Sequence, residues 1–295
     1  MASGKRVFLT FGVMSAIKPD APMKPNAGHF PEDVKRLYDN VLPEGQRVRD
    51  LIFPEVFGPQ QYVGQYSDNT ADQIVALGRR AGITSNSHVL DVGCGCCGPA
   101  VHLAETFGCR ITGVDLSESH LSRARASIEK AGLSDKIRLV KGDIFEIGAS
   151  IEPVDVIIGL GAWCHLSPRT FFPLCRQLLR EGGRIAFMER IRLGKIDADL
   201  YRQLTTEWAA PSVETFASYY FALSAAGFRD IFIQDLTEPY KALQRRFIEV
   251  RLKLRDKIEE AAGPEYFRSD LELVRAETDA TESGALGYGL FVAHT

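Results

Sequence analysis

Long apolar runs are missing from this 295-residue chain. None approaches the roughly 20 residues that a membrane-crossing helix needs, so no membrane association is expected. Charge of one sign is not in excess either: 35 Lys and Arg stand against 38 Asp and Glu, a formal net charge of -3. The basic residues are scattered, and from Arg245 to Lys257 cations alternate with apolar positions as on a solvated helix face. No nucleic-acid surface is expected from such a pattern. Internal repeats and low-complexity tracts are absent. The six cysteines come without a histidine at ligand spacing. Although Cys94, Cys96 and Cys97 share one turn, small buried thiols account for them better than a metal or redox centre. No metal is expected, and reduced cysteines fit a cytoplasmic protein.

What is present is the stretch Ser87 to Ala100, S-H-V-L-D-V-G-C-G-C-C-G-P-A, followed by Gly113-Val114-Asp115. An apolar run broken by one acid, glycines at 93, 95 and 98, and Pro99 suited to a first helical turn read as strand, tight turn and helix start. Glycines let the backbone turn sharply and let a ligand approach it. The spacing also matches the dinucleotide fingerprint, and Asp91 separates the two readings. A carboxylate two residues before the first glycine would face the pyrophosphate of a dinucleotide, like charge against like. It suits the ammonium and sulfonium of S-adenosyl-L-methionine (SAM). The pattern D-x-G-x-G, with an acid ending the next strand, resembles the first two motifs of class I SAM-dependent methyltransferases.

Strands at 88–92, 110–114, 136–141, 154–159 and 184–188 alternate with helices at 100–107, 118–131 and 168–179. That alternation predicts an α/β fold, Rossmann-like, with a parallel sheet and helices on both faces. A ligand then lies at the C-terminal ends of the strands. Residues 1–30 read as an N-terminal arm; Val7 to Ala16 after Lys5-Arg6 looks only faintly like a leader. Residues 31–84 read as a helical cover: a helix from Pro31, an irregular stretch Phe53 to Ser67, and a helix capped at Asn69-Thr70. The methyltransferase domain spans 85–295, with insertions at 190–212 and 236–283 expected to form a substrate lid. Tyr240, Leu243, Phe247, Val250, Leu254 and Ile258 mark one long amphipathic helix closed by Gly263.

Four further stretches resemble the glycine, sarcosine and dimethylglycine N-methyltransferases and the small-molecule methyltransferases around them. These are Tyr62-Val63-Gly64-Gln65-Tyr66, Gly98 to Ser117, Ala162-Trp163-Cys164-His165, and Gly284-Ala285-Leu286-Gly287-Tyr288-Gly289. The chain departs from that group at Phe57-Gly58-Pro59-Gln60, where paired glycines are usual, and at Leu160, where a glutamine is usual. The resemblance implies a seven-stranded class I methyltransferase sheet and SAM as cofactor, leaving S-adenosyl-L-homocysteine (SAH). It implies a small-molecule acceptor, most readily an amine nitrogen. O- or C-methylation of a natural product or prenyl-type acceptor is the alternative, and a non-catalytic SAM-binding regulator is the alternative from another class.

The residue roles follow from the same resemblance. Asp91 holds the methionyl amine; Gly93 and Gly95 let the backbone approach it. Asp115 takes the ribose hydroxyls, Leu116 and Ile144 sandwich the adenine, and Asp143 accepts from its amino group. Leu160 lines the methionine side and Tyr66 closes over it. On the acceptor side His165 serves as base or orienting group, and Glu189 meets a cationic amine or pairs with Arg190 or Arg192. Trp163, Tyr219, Tyr220 and Tyr240 are candidates for an aromatic wall around a methylammonium.

Overall fold

Central to the fold is β1 (His88–Val92), a five-residue strand buried along its whole length. It pairs in parallel with β2 (Arg110–Asp115) on one side and with β4 (Val154–Leu160) on the other. In this computed structural model, which describes residues 31–39, 43–207 and 209–295, β3 (Ile137–Lys141), β5 (Leu179–Arg192), β6 (Arg229–Asp235) and β7 (Leu286–His294) complete a seven-stranded sheet of order β3-β2-β1-β4-β5-β7-β6. The expected arm at 1–30 lies outside the described residues. β1 to β5 pair in parallel, as expected for 87–188, and β7 runs antiparallel to both β5 and β6, a reversed strand set between β5 and the edge strand β6. The chain leaves β1 in one direction and returns through β4 in the other, which opens a crevice at their C-terminal ends.

Side chains alternate across each strand, and the two faces of β1 define two cores. Val89 packs with Ile74 and Leu77 of α3 (Ala71–Arg80), Leu103 of α4 (Gly98–Phe107) and Leu121 and Ile128 of α5 (Glu118–Lys130). Leu90 and Val92 pack instead with Phe171 and Phe172 of α7 (Pro168–Leu178) and Tyr219 of α9 (Phe216–Ala225). Thr70 caps α3 with a reciprocal bond from Gln73, and Ser117 caps α5, as serine and threonine do at helix starts.

The cover segment differs from its sequence reading. α1 (Pro31–Asp39) starts at its proline as expected, but α2 runs from Pro43 to Phe57, straight through Pro54. Pro54 costs α2 one N–H bond. Burial of Val48, Ile52, Phe53 and Val56 offsets that loss. Their partners are α10 (Thr237–Lys253), α11 (Arg255–Ala262) and α12 (Pro264–Glu282). The single long helix expected there bends at Leu254, which lets Val250, Leu254 and Ile258 all reach the core shared with α2. The 236–283 insertion therefore packs on the cover helix. Arg251 and Asp270 pair inside it at 2.8 Å, both side chains 1% exposed. α8 (Ala198–Glu207) packs Leu204 beside Ala210, Val213 and Leu286. No described helix is long and apolar enough to cross a membrane.

Candidate cofactor and acceptor site

The turn after β1 is built by backbone demands. Gly93 and Gly95 have φ of 81° and 53°, and Cys97 is held at 62°, a left-handed value that a residue with a Cβ adopts only under constraint. A Cβ on Gly93 would come 2.5 Å from that of Ala162, and one on Gly98 would meet the Val63 carbonyl at 2.3 Å. The turn is thus squeezed between the loop after β4 and the 62–66 segment. The Cys94 thiol donates to the Gly95 carbonyl at 3.9 Å, and the neighbouring Cys97 thiol together with burial lifts it above its usual range. Among the described residues no cluster could hold a metal ion.

Beyond the turn lies a cavity at the strand ends. Gly93, Gly95, Asp115, Leu116, Asp143, Ile144, Leu160, Tyr66 and His165 all line it. Asp91 sits one residue behind, 3% exposed; burial, with the nearby Asp115 adding to it, pushes its carboxyl up to about 7. Among the described residues no cation pairs with it, which a buried carboxylate normally requires. Burial also acts against Asp115, yet that carboxyl is held below its usual range. Its Oδ2 accepts from Gly95 N at 2.8 Å, its Oδ1 accepts from Ser117 N at 2.9 Å, and His120 Nδ1 stands 3.7 Å away. Asp143 accepts from Phe145 N at 3.0 Å and caps the short helix α6 (Ile144–Ile147). The Tyr66 ring lines the cavity, but its hydroxyl turns aside, donating to Gln46 Oε1 at 2.6 Å and accepting from Arg123 at 3.2 Å.

His165 is buried, and its Nε2 lies 2.9 Å from the Tyr38 hydroxyl of α1. Tyr38 was not singled out in the sequence, although Val34 and Tyr38, four apart, share a helix face and both line the cavity. The rings of Tyr66, His120, Tyr38 and His165 follow one another at centroid spacings of 4.9, 5.1 and 5.5 Å. The cover over the cavity is α1 and the 62–66 segment. Among the described residues, 190–212 and 236–283 contribute none of the lining.

On the acceptor side, Glu189 is engaged within the protein: its Oε2 accepts from Trp163 N and Cys164 N, both at 3.0 Å, and its Oε1 from Arg190 N at 3.0 Å. It braces the loop that carries His165. Arg190 bonds to Asp68 and Glu277 at 2.8 Å and to Tyr240 at 3.1 Å. The aromatic wall is not assembled. Trp163 and Tyr219 are core residues, Tyr240 stacks on Tyr288 at 4.9 Å, and Tyr220 is exposed.

Residues 89–183 match the sequence model of the family described as Methyltransferase domain. Over that stretch, and in its sheet order and glycine turn, the chain is similar to the class I SAM-dependent methyltransferases. It is 34% identical over 122 residues to a sterol 24-C-methyltransferase of Eremothecium gossypii, covering 41% of this chain and 33% of that one. It is 22% identical over 236 residues to the glycine/sarcosine/dimethylglycine N-methyltransferase of Actinopolyspora halophila, covering 80% and 41%. A phosphoethanolamine N-methyltransferase of Haemonchus contortus, solved with SAM, superposes with a TM-score of 0.76 at 16% identity over 89% of this chain and 60% of that one. The sterol enzymes are matched over about a third of their length.

Proposed function

We propose that this protein transfers a methyl group from SAM to a small-molecule acceptor, at an unprotonated amine nitrogen carried on a largely apolar body. The buried Asp91 beside the Gly93 turn, with no cation paired to it among the described residues, is the observation that carries the cofactor assignment. It fits the methionyl ammonium, as the Asp115 fork fits a pair of ribose hydroxyls. Bound SAM supplies an activated methyl on a sulfonium. The protein then has to align a lone pair in line with it and exclude water, for which proximity alone is worth roughly 7 to 11 kcal/mol.

The acceptor end of the cavity supports the apolar body. Leu160, Ala162, Leu166 and Val34 line it, while Glu189 and Arg190, which would grip an amino acid, are occupied elsewhere. His165, hydrogen-bonded to Tyr38, is the group that takes the proton of the amine or orients it. The same apolar lining favours, as a second reading, a carbon acceptor of the kind named for the sterol relatives. Residues 85–295 form the SAM-binding unit in this reading and 31–84 its cover; the cytoplasm, where SAM is available, is its compartment.

Incubation with SAM carrying a carbon-13 methyl, across a panel of apolar amines, alcohols and alkenes, tests both readings. Methyl carbons bound to nitrogen, oxygen and carbon resonate in separate ranges. Labelled N-methyl product supports the first reading and C-methyl product the second. Failure of the intact protein to bind SAM by titration calorimetry overturns both.

A further inference from the structure

A second cavity, of about 300 Å³, lies between the end of α2 and the start of α10, and among the described residues it shares no lining with the cofactor cavity. That volume is at the lower end of pockets that hold small molecules. Val56, Phe57 and Leu243 give it apolar walls. Arg246 lines its exposed side, but the guanidinium is turned to α2, with Nε donating to the Val56 carbonyl at 2.5 Å and Nη2 to the Glu55 carbonyl at 2.9 Å. It serves the unpaired carbonyls of a helix end.

One buried group in the lining is left short of a partner. Asp68 is 4% exposed; its Oδ2 accepts from Arg190 Nη2 at 2.8 Å, while its Oδ1 has no hydrogen-bond partner among the described residues. A carboxylate oxygen held out of water without a donor is costly. Arg190 does not balance the charge around it, being shared between Asp68 and Glu277, with Glu189 next to it also acting on Asp68. Arg251, which acts on Asp68 as well, is paired with Asp270. Burial, with Glu277 and Glu189 adding to it against Arg190, lifts the Asp68 carboxyl above its usual range. An occupant of the cavity can supply the missing donor, and the excess of carboxylates favours one that brings positive charge. We propose that this cavity is a second ligand site for a small organic ammonium, whose N–H donates to Asp68 while a compact apolar body lies against Val56, Phe57 and Leu243. The site is separate from the acceptor end of the cofactor cavity, and SAM takes no part in its test.

Titration calorimetry of the full chain at pH 8, to keep the Asp68 carboxyl ionised, compares benzylammonium with benzyl alcohol, which match in size and differ in charge. Wild-type protein should bind benzylammonium about 10- to 100-fold more tightly than the alcohol, the size of a charged hydrogen bond. Asp68→Asn should erase that preference. Leu243→Trp, which fills the cavity and leaves Asp68 in place, should weaken both ligands by at least about 10-fold. The two variants also locate the binding, because benzylammonium held at the acceptor end of the cofactor cavity would bind to both of them as it does to wild type. No binding of benzylammonium by wild-type protein up to about 10 mM, equal wild-type affinity for the alcohol, or wild-type affinity for benzylammonium in either variant overturns the proposal.

Discussion

Asp91 sets function against stability at a single residue. Unfolded, its carboxyl ionises near 3.8; folded, it does so near 7. The ionised fold is therefore penalised, with the penalty opening above pH 3.8 and complete above about 7. Asp91→Asn removes it. The ligand-free variant should melt higher than wild type, by more at pH 8 than at pH 5, and should bind SAM about 10- to 100-fold more weakly. Scanning calorimetry and titration calorimetry check the two halves; a variant that melts lower at pH 8 contradicts the argument. His165 is expected to divide differently. His165→Ala should lower kcat by roughly 100- to 10,000-fold, the range for a positioned acid or base, while SAM affinity changes little, as single-turnover and equilibrium measurements would report. The Asp91 and Asp115 positions were legible because their pattern and spacing carry the chemistry. Tyr38 is not, since a tyrosine on a nine-residue helix signals nothing until the partners of that helix are known.

Elements position these residues, and two buried anchors do much of the work. The Glu189 carboxylate gathers three backbone N–H groups and so fixes the short turn Trp163–His165. Glu189→Ala strands those donors in the core and should cost about 1 to 3 kcal/mol, with kcat falling much more than SAM affinity. Chemical denaturation and initial-rate kinetics check it. Arg190 joins β5 to Asp68 of the cover segment and to Glu277 of α12. Arg190→Met leaves buried carboxylates unpaired and should destabilise by about 3 to 5 kcal/mol, read as a lower denaturant midpoint. From sequence, the strands and α3, α5 and α7 were recoverable, because alternation and caps are local signals. α2 was not: Pro54 reads as a breaker, and only its apolar partners in α10 and α11, some 200 residues away, justify the helix. The 236–283 insertion was recognised as helical, but the face it covers is a long-range property that periodicity does not encode.

At the scale of the whole molecule, the site sits where a parallel sheet changes direction, roofed by pieces that precede the sheet in sequence. α1 and the 62–66 segment meet the cavity from one side and the loop after β4 meets it from the other. The two halves share a physical link. Trp163 Nε1 donates to the Val92 carbonyl at 3.1 Å, so the loop bearing His165 hangs from the residue that opens the glycine turn. Ala162 also presses on Gly93, with no room for a Cβ between them. Any settling of the turn is then transmitted to the acceptor loop. The expected outcome is an order of addition in which SAM should enter first and the acceptor second, with SAH leaving last. Product-inhibition kinetics should find SAH competitive against SAM and noncompetitive against the acceptor; equal competition against both would mean that the halves fill independently. Trp163→Phe, which keeps the ring and removes the donor, should loosen that sequence toward random addition.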